Sequence, residues 1–318
     1  MPAVSPACLA LLAAARRFGP LYGPGYSNHL PMALIALDRM GAAPDGLRRF
    51  VEQYEPRLQP AGAAVPVTEP FALCGGHDNY GGLAAWFDAA AAAQDDDAVL
   101  RAWLPRLLPG LAAAGFHALI RLAYGLDARD RGEVCAALAF WVMAYKPIPV
   151  PAARSGETVP AIAARIGAAV GTHGAAGLTI GARMANVERS PLLETAQPER
   201  IALADVAAFA LAAFHASKDF MLLHTVTACH ALRMVLPWID DEEGAVRQLW
   251  QAVLAAWLAA DRHGGAAQRT ARDWPALWDR ALNSTDDHVI KLCYTARAEH
   301  AVYGDARYLD IAARATAS

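Results

Sequence analysis

Residues 200–236 read RIALADVAAFALAAFHASKDFMLLHTVTACHALRMVL. Apolar side chains recur in this stretch at the 3.6-residue period of a helix, which predicts helices over 200–215 and 217–236. Alanine is frequent in it, and alanine has the highest helix propensity of all residues. Its apolar runs, such as 206–214, are far shorter than the roughly 18 residues that a membrane span requires. The stretch therefore predicts close-packed helices of a soluble domain.

The same period extends along the whole chain, and alternating strand patterns are nearly absent. We therefore predict an all-α fold, a single multi-helix domain over residues 1–318 with a buried site between helices. Two stretches rich in proline or glycine, 146–160 and 171–198, are predicted to be long loops that could cover that site. The predicted helices cover residues 5–17, 30–40, 44–54, 79–93, 97–113, 115–126, 131–145, 158–171, 200–215, 217–236, 242–262, 274–282 and 286–303.

Composition limits the function classes. The chain has 28 Lys+Arg against 31 Asp+Glu and a net charge of −3, which argues against a nucleic-acid or anionic-membrane binder. Five scattered cysteines indicate buried thiols of a reducing compartment rather than a disulfide framework. No basic residue precedes the apolar stretch 8–15, so it is interpreted as a first helix rather than a signal peptide. We expect a cytoplasmic protein, and the sequence leaves its oligomeric state open.

Several common active-site motifs are missing from the sequence. The three lysines, Lys146, Lys218 and Lys291, do not follow the glycine of a phosphate-binding loop. There is no CxxC pair, no HExxH and no GxSxG. No GxGxxG follows a predicted strand, which argues against a Rossmann dinucleotide site but leaves open NADPH supplied through a partner protein.

Five histidines lie inside apolar, helix-like sequence, where a buried ring needs a polar partner. A single buried histidine is more often a hydrogen-bonded core residue than a metal ligand. Five in one helical domain weaken the purely structural interpretation, because each would then need a separate structural explanation. The five are His29, His117, His224, His230 and His288.

Lys291 follows His288 by three residues and shares its helix face. A buried lysine can lose its proton and become a nucleophile toward CO2 or a carbonyl, whereas arginine cannot. The commoner outcome of this spacing is an ammonium paired with Asp287 or another carboxylate. Arg121 shares the helix face of His117, where it could hold an anionic or phenolic substrate or simply bridge helices.

Four segments, in this order, give the chain a resemblance to the questin oxidase-like family. They are SNHLPMALIALDRMGA at 27–42, FHALIRLAYG at 116–125, FMLLHTVTACHALR at 220–233 and DDHVIKL at 286–292. The resemblance implies an all-helical fold and the oxidative ring opening, by C–C cleavage, of an aromatic polyketide or anthraquinone-like substrate. For some members it implies a Baeyer–Villiger-type oxygenation, and for others an O2-dependent cleavage at non-haem iron.

For the iron type, the resemblance implies a centre of four histidines and a carboxylated lysine. Transferred by motif, the imidazole ligands are His29, His117, His224 and His288, and Lys291 carries a CO2-derived carbamate. His230 shares the motif of His224 and is the other candidate for that ligand. We further expect Arg121 or His230 to steer the oxyanion of the substrate.

The sequence thus predicts an oxidoreductase that uses Fe(II) and O2 on a small aromatic substrate, with no nucleic-acid or membrane partner. One alternative is an NADPH-dependent Baeyer–Villiger-type monooxygenase without a bound metal. Another is a non-catalytic helical ligand-binding protein whose histidines only satisfy a polar core. A third keeps the metal but makes it zinc and the reaction hydrolytic, because histidine ligands alone do not select the metal.

Overall fold

The computed structural model describes residues 3–76, 78–217, 219–263, 265 and 273–317, so Lys218 lies outside the described residues. The fold is helical over 66% of the chain, which confirms the predicted all-α class. The described helices are α1 (Pro6–Ala15), α2 (Leu30–Arg39), α3 (Pro44–Tyr54), α4 (Tyr80–Ala93), α5 (Asp96–Leu107), α6 (His117–Ala128), α7 (Arg131–Ala144), α8 (Val159–Ala169), α9 (Ile180–Ala185), α10 (Pro191–Glu194), α11 (Leu203–Ala216), α12 (Phe220–Val235), α13 (Glu242–Ala259), α14 (Trp274–Leu282), α15 (Asp287–Tyr303) and α16 (Arg307–Ala315).

Helices α6 and α12 form the centre of the domain. Nearly every residue of both helices is buried, as expected for helices that are apolar on all sides. Helix α6 packs against α2, α7 and α12, and α12 packs against α11, α13 and α15. The core is therefore a stack of helices in which α2, α6, α12 and α15 are neighbours.

The predicted helix over 217–236 begins three residues later than expected. Ser217 has an extended backbone and ends α11, and the Asp219 side chain accepts a hydrogen bond from the N–H of Met221 and caps α12. The structure also has elements that the sequence did not predict. These are α16, the short helices α9 and α10 within the loop predicted at 171–198, and an antiparallel hairpin of β1 (Leu21–Tyr22) and β2 (Tyr26–Ser27).

One helical stretch, Phe220–Trp238, has the length and the mean hydropathy, 1.2, to cross a membrane. The sequence prediction missed it because it counted uninterrupted apolar runs, and this stretch contains His224 and His230. The surrounding helices bury 72% of it, as in the core helix of a globular domain.

The four neighbouring core helices all begin near one end of the molecule. The hairpin, the irregular chain after α7 and the segment that contains α9 surround the same end. Both predicted loops therefore contribute to the region where these helices begin.

Candidate metal centre

The four histidines that motif transfer selected lie at the N-terminal ends of four different helices. His29 is the N-cap of α2, and His117 is the first residue of α6. His224 lies in the second turn of α12, and His288 is the second residue of α15. The backbone N–H of His29 also donates to the Tyr54 hydroxyl over 3.1 Å, which fixes the chain entering α2.

The imidazole rings of these residues form one cluster. The His29 ring stacks on the His117 ring with centroids 4.6 Å apart. His288 approaches His29 edge-on at 4.5 Å, and His224 lies 4.6 Å from His117. Ring nitrogens of His29, His224 and His288 all lie within 4.8 Å of one another. The fold thus brings four segments of the chain to one point.

Each ring of the cluster has an acceptor at its Nδ1. Nδ1 of His117 faces the carbonyl of Ala114, and Nδ1 of His224 lies 3.0 Å from the carbonyl of Phe220. The other two rings share Oδ1 of Asp287, which is 2.7 Å from Nδ1 of both His29 and His288. Carbonyl and carboxylate oxygens accept hydrogen bonds, so each neutral ring carries its hydrogen at Nδ1 and a lone pair at Nε2.

The four Nε2 lone pairs lack donors. Nε2 of His29 and of His288 is buried without a hydrogen-bond partner in the described part of the chain. Nε2 of His117 and Nε2 of His224 lie 3.1 Å apart, and with both hydrogens at Nδ1 neither atom can donate to the other. Two imidazole nitrogens bound at right angles to one metal at about 2.1 Å are about 3.0 Å apart. The donor set therefore fits a transition metal, for which imidazole is a suitable ligand.

Burial keeps the rings of His29, His117 and His224 neutral. Burial, with the nearby charge of Lys291, lowers the pKa of His29 to about 3. Burial and the neighbouring imidazoles hold the pKa of His117 and of His224 well below the ordinary histidine value. Neutral imidazole is the form that binds a metal, so no protons have to leave these rings at neutral pH.

Lys291 is buried beside this cluster on α15. Burial lowers the pKa of its ammonium to about 8, against the opposing charges of Asp287 and Asp286. Its Nζ lies 3.9 Å from Oδ1 of Asp287, so the predicted ion pair exists only at its outer distance limit. Its charge also lowers the pKa of three ring neighbours, His29, His117 and His224.

A cavity of about 690 Å³ opens onto His29, His117 and His288. The hairpin, the chain after α7 and the segment from Gly177 to Glu188 form its walls. Three of the six exposed large apolar side chains among the described residues line it. These three are Tyr26, Leu178 and Phe220.

Phe220 lines this cavity and contacts two rings of the cluster. Its ring lies edge-on to His288 at 4.3 Å and to His224 at 4.9 Å. Lys146 pairs with Glu188 over 2.9 Å and joins two of the cavity walls. The cavity thus has an aromatic ring beside the imidazoles and an ion pair within its walls.

A family model described as Questin oxidase-like matches residues 26–296. The chain belongs to this family. The matched range contains all four clustered histidines and Lys291. Membership in the questin oxidase-like family suggests an oxygenase that acts on anthraquinone-type substrates. No similar protein was found among curated sequences.

Two residues predicted to steer the substrate lie elsewhere in this questin oxidase-like protein. Arg121 is buried and donates to Oε2 of Glu133 over 3.0 and 2.8 Å. His230 lies 2.7 Å from Glu299, which also pairs with Arg233. Among the described residues, neither Arg121 nor His230 lines the cavity. The fold therefore brings His224, and not His230, to the cluster.

Sequence reasoning missed the part played by Asp287 and Phe220. The sequence predicted Asp287 only as a partner of Lys291, but its carboxylate contacts two imidazoles. The N-cap position is filled by Asp286, whose side chain accepts from the N–H of His288. The contact between Asp287 and His29 joins distant parts of the chain, so no local spacing could predict it.

Proposed function

We propose that this protein is a non-haem-iron oxygenase that opens a ring of an aromatic polyketide or anthraquinone-like substrate by C–C cleavage. The proposed ligands of Fe(II) are His29, His117, His224 and His288, together with a carbamate on Lys291. The observation that carries the proposal is the cluster of imidazoles beside a buried lysine and an apolar cavity. Ring nitrogens of His29, His224 and His288 lie within 4.8 Å of one another, and Nε2 of His117 lies 3.1 Å from Nε2 of His224.

The environment of Lys291 supports its carboxylation. With a pKa of about 8, roughly a tenth of the lysine is neutral at pH 7, and only the neutral amine can attack CO2. Carboxylation of the ammonium releases two protons, one before and one after the N–C bond forms, and turns a buried cation into an anion. Four helix N-termini give this region a positive potential, so an added anion would help it to accept a metal cation.

The cavity supports a flat aromatic substrate. Its volume of about 690 Å³ lies within the roughly 300–1,000 Å³ of small-molecule sites. Phe220, Tyr26 and Leu178 line it with apolar surface, which suits planar rings. A substrate in contact with Phe220 would lie next to the imidazole cluster, where bound iron would supply the one-electron chemistry that O2 requires.

Metal analysis of purified protein tests this proposal. We expect stoichiometric iron in the wild type and in His230→Gln, a buried histidine outside the cluster, and loss of iron in His288→Ala and Lys291→Met. With a hydroxylated anthraquinone as probe, we expect O2 uptake and a ring-opened product without NADPH.

Other outcomes would select a different function. O2 uptake that requires NADPH and survives chelation would indicate a Baeyer–Villiger-type monooxygenase. Bound zinc together with hydrolysis of the probe would indicate a zinc-dependent hydrolase. Tight binding of a probe that stays unchanged in air would indicate a ligand-binding protein. Each of these results would overturn the iron proposal.

A further inference from the structure

Asp287 joins two of the clustered histidines through a single oxygen atom. Its Oδ1 accepts from Nδ1 of His29 and from Nδ1 of His288, each at 2.7 Å. The carboxyl group is buried, and burial alone would disfavour its charge. Two hydrogen bonds to the charged group offset that cost. One carboxylate thus connects the start of α2 to the start of α15.

These hydrogen bonds decide where the two rings carry their hydrogens. A neutral imidazole has one N–H, and a carboxylate facing Nδ1 places that hydrogen there. Nε2 of both rings then keeps its lone pair, in agreement with the absence of an acceptor near either Nε2 in the described part of the chain. If the hydrogens moved to Nε2, two buried donors would be left without partners.

The other two rings are held differently. His117 and His224 donate to the backbone carbonyls of Ala114 and Phe220. Among the described residues, Asp287 is therefore the one side chain that accepts from the Nδ1 of two cluster rings at short distance. Asp286 also approaches Nδ1 of His288, but at 3.4 Å and from an exposed position.

Helix capping does not account for a buried carboxylate at this position. Asp286 already caps α15 through the N–H of His288. The distance of 3.9 Å from Asp287 to Lys291 is too long for a strong ion pair. The two short hydrogen bonds to the imidazoles remain as its dominant interactions.

We propose that Asp287 is a positioning residue that fixes the tautomer and the orientation of His29 and His288, so that both Nε2 atoms point toward a common ligand. That the common ligand is a metal rests on the function proposed above, whereas the tautomers can be measured without any metal. Carboxylates behind metal-bound histidines typically change metal affinity by tenfold to a hundredfold when they are removed.

Nitrogen NMR of the metal-free wild type with labelled histidines tests whether His29 and His288 have the proposed tautomers. We expect the hydrogen of His29 and of His288 at Nδ1. A hydrogen at Nε2 of either ring would overturn the proposal, and this test needs no variant to fold.

Asp287→Leu tests whether Asp287 supports metal binding, because leucine keeps the branched shape of the side chain but has no oxygen that can accept from either Nδ1. We expect Co(II), used as a probe, to bind this variant about tenfold to a hundredfold more weakly, with a visible spectrum that reports an altered ligand set. The thermal midpoint of the metal-free variant serves as a check of its folding.

Asp286→Asn is the matched control, since asparagine caps a helix as well as aspartate does. It should bind Co(II) like the wild type. Equal loss of Co(II) affinity in both variants, or no loss in Asp287→Leu, would overturn the role of Asp287. A wild type that binds no metal would instead overturn the proposed function, and the NMR result would still decide the tautomers.

Discussion

The chemistry of the proposed centre depends most directly on the side chain of Lys291, because burial changes its protonation. Its pKa falls from the ordinary 10.5 to about 8, since the surrounding helices remove water from the ammonium. Between these two values the unfolded chain binds a proton that the folded chain has lost. The free energy of unfolding should therefore rise with pH in this window.

We expect this rise as a difference between the wild type and Lys291→Met, both metal-free and in CO2-free buffer. From pH 8 to pH 10.5 the wild type should gain about 3 kcal/mol relative to the variant, because the penalty for the buried charge disappears. Urea unfolding at several pH values measures the difference. A difference that stays constant across this window would mean that Lys291 is not held in an apolar environment.

Phe220 provides a test of substrate binding at a single residue. Its ring is 50% exposed, lines the cavity and touches two imidazoles of the cluster. Phe220→Ala should weaken binding of a hydroxylated anthraquinone by about 0.5–1.5 kcal/mol, roughly twofold to tenfold in Kd. The backbone carbonyl that fixes His224 is unchanged in this variant.

Calorimetric titration of the metal-free protein measures that affinity. Val302→Ala is the control, because Val302 is equally exposed, at 50%, and lies away from the cavity. If both variants bind alike, Phe220 does not form part of the substrate site.

At the scale of single elements, the start of α6 is the most unusual part of the fold. Ala114, Gly115 and Phe116 have φ values of 49°, 67° and 71°, all in the left-handed region. Residues with a Cβ are strained there by about 1–2 kcal/mol each. The turn places the Ala114 carbonyl against Nδ1 of His117, so the strained backbone positions one of the proposed ligands.

Two substitutions in this turn should have opposite effects on stability. Ala114→Gly relieves strain, and the greater freedom of the unfolded chain offsets part of the gain, so we expect an increase of at most about 1 kcal/mol. Gly115→Ala should lower the free energy of unfolding by more than about 1 kcal/mol, because of its positive φ. Its new Cβ would also lie 2.9 Å from Ile180.

Urea unfolding curves of the two variants measure these changes. Unchanged stability in Gly115→Ala would show that the turn is free to adopt another conformation. In that case, the left-handed conformation of this turn would not be what orients His117.

The sequence predicted most helices but not how they begin. The helix predicted over 115–126 corresponds to α6. The left-handed turn before it contains a single glycine, so the sequence did not indicate the positive φ values there. Arg121 does share a helix face with His117, but its long side chain reaches Glu133 on α7 instead of the cavity. Helical spacing limits the direction of a side chain, whereas the neighbouring helix decides its partner.

At the scale of the whole molecule, the proposed ligands come from four helices spread between His29 and Lys291. Motif resemblance could select these residues because each lies within a segment typical of the family. The distances between them come from the packing of α2, α6, α12 and α15, which local periodicity does not encode. Without a metal, that packing holds several lone pairs close together, an arrangement that opposes the stability of the domain.

A bound metal should therefore stabilise the entire domain and not only its site. A ligand at a thousand times its Kd adds about 4 kcal/mol to folding, which would raise the thermal midpoint on the order of 10 °C. We expect a chelator to lower the midpoint of the wild type and of His230→Gln by a similar amount. His288→Ala should melt at the same temperature with and without metal. If chelation leaves the wild-type midpoint unchanged, the four helix ends hold the imidazoles together without a shared ligand. The lone pairs of the imidazoles must then be satisfied by water that enters from the cavity.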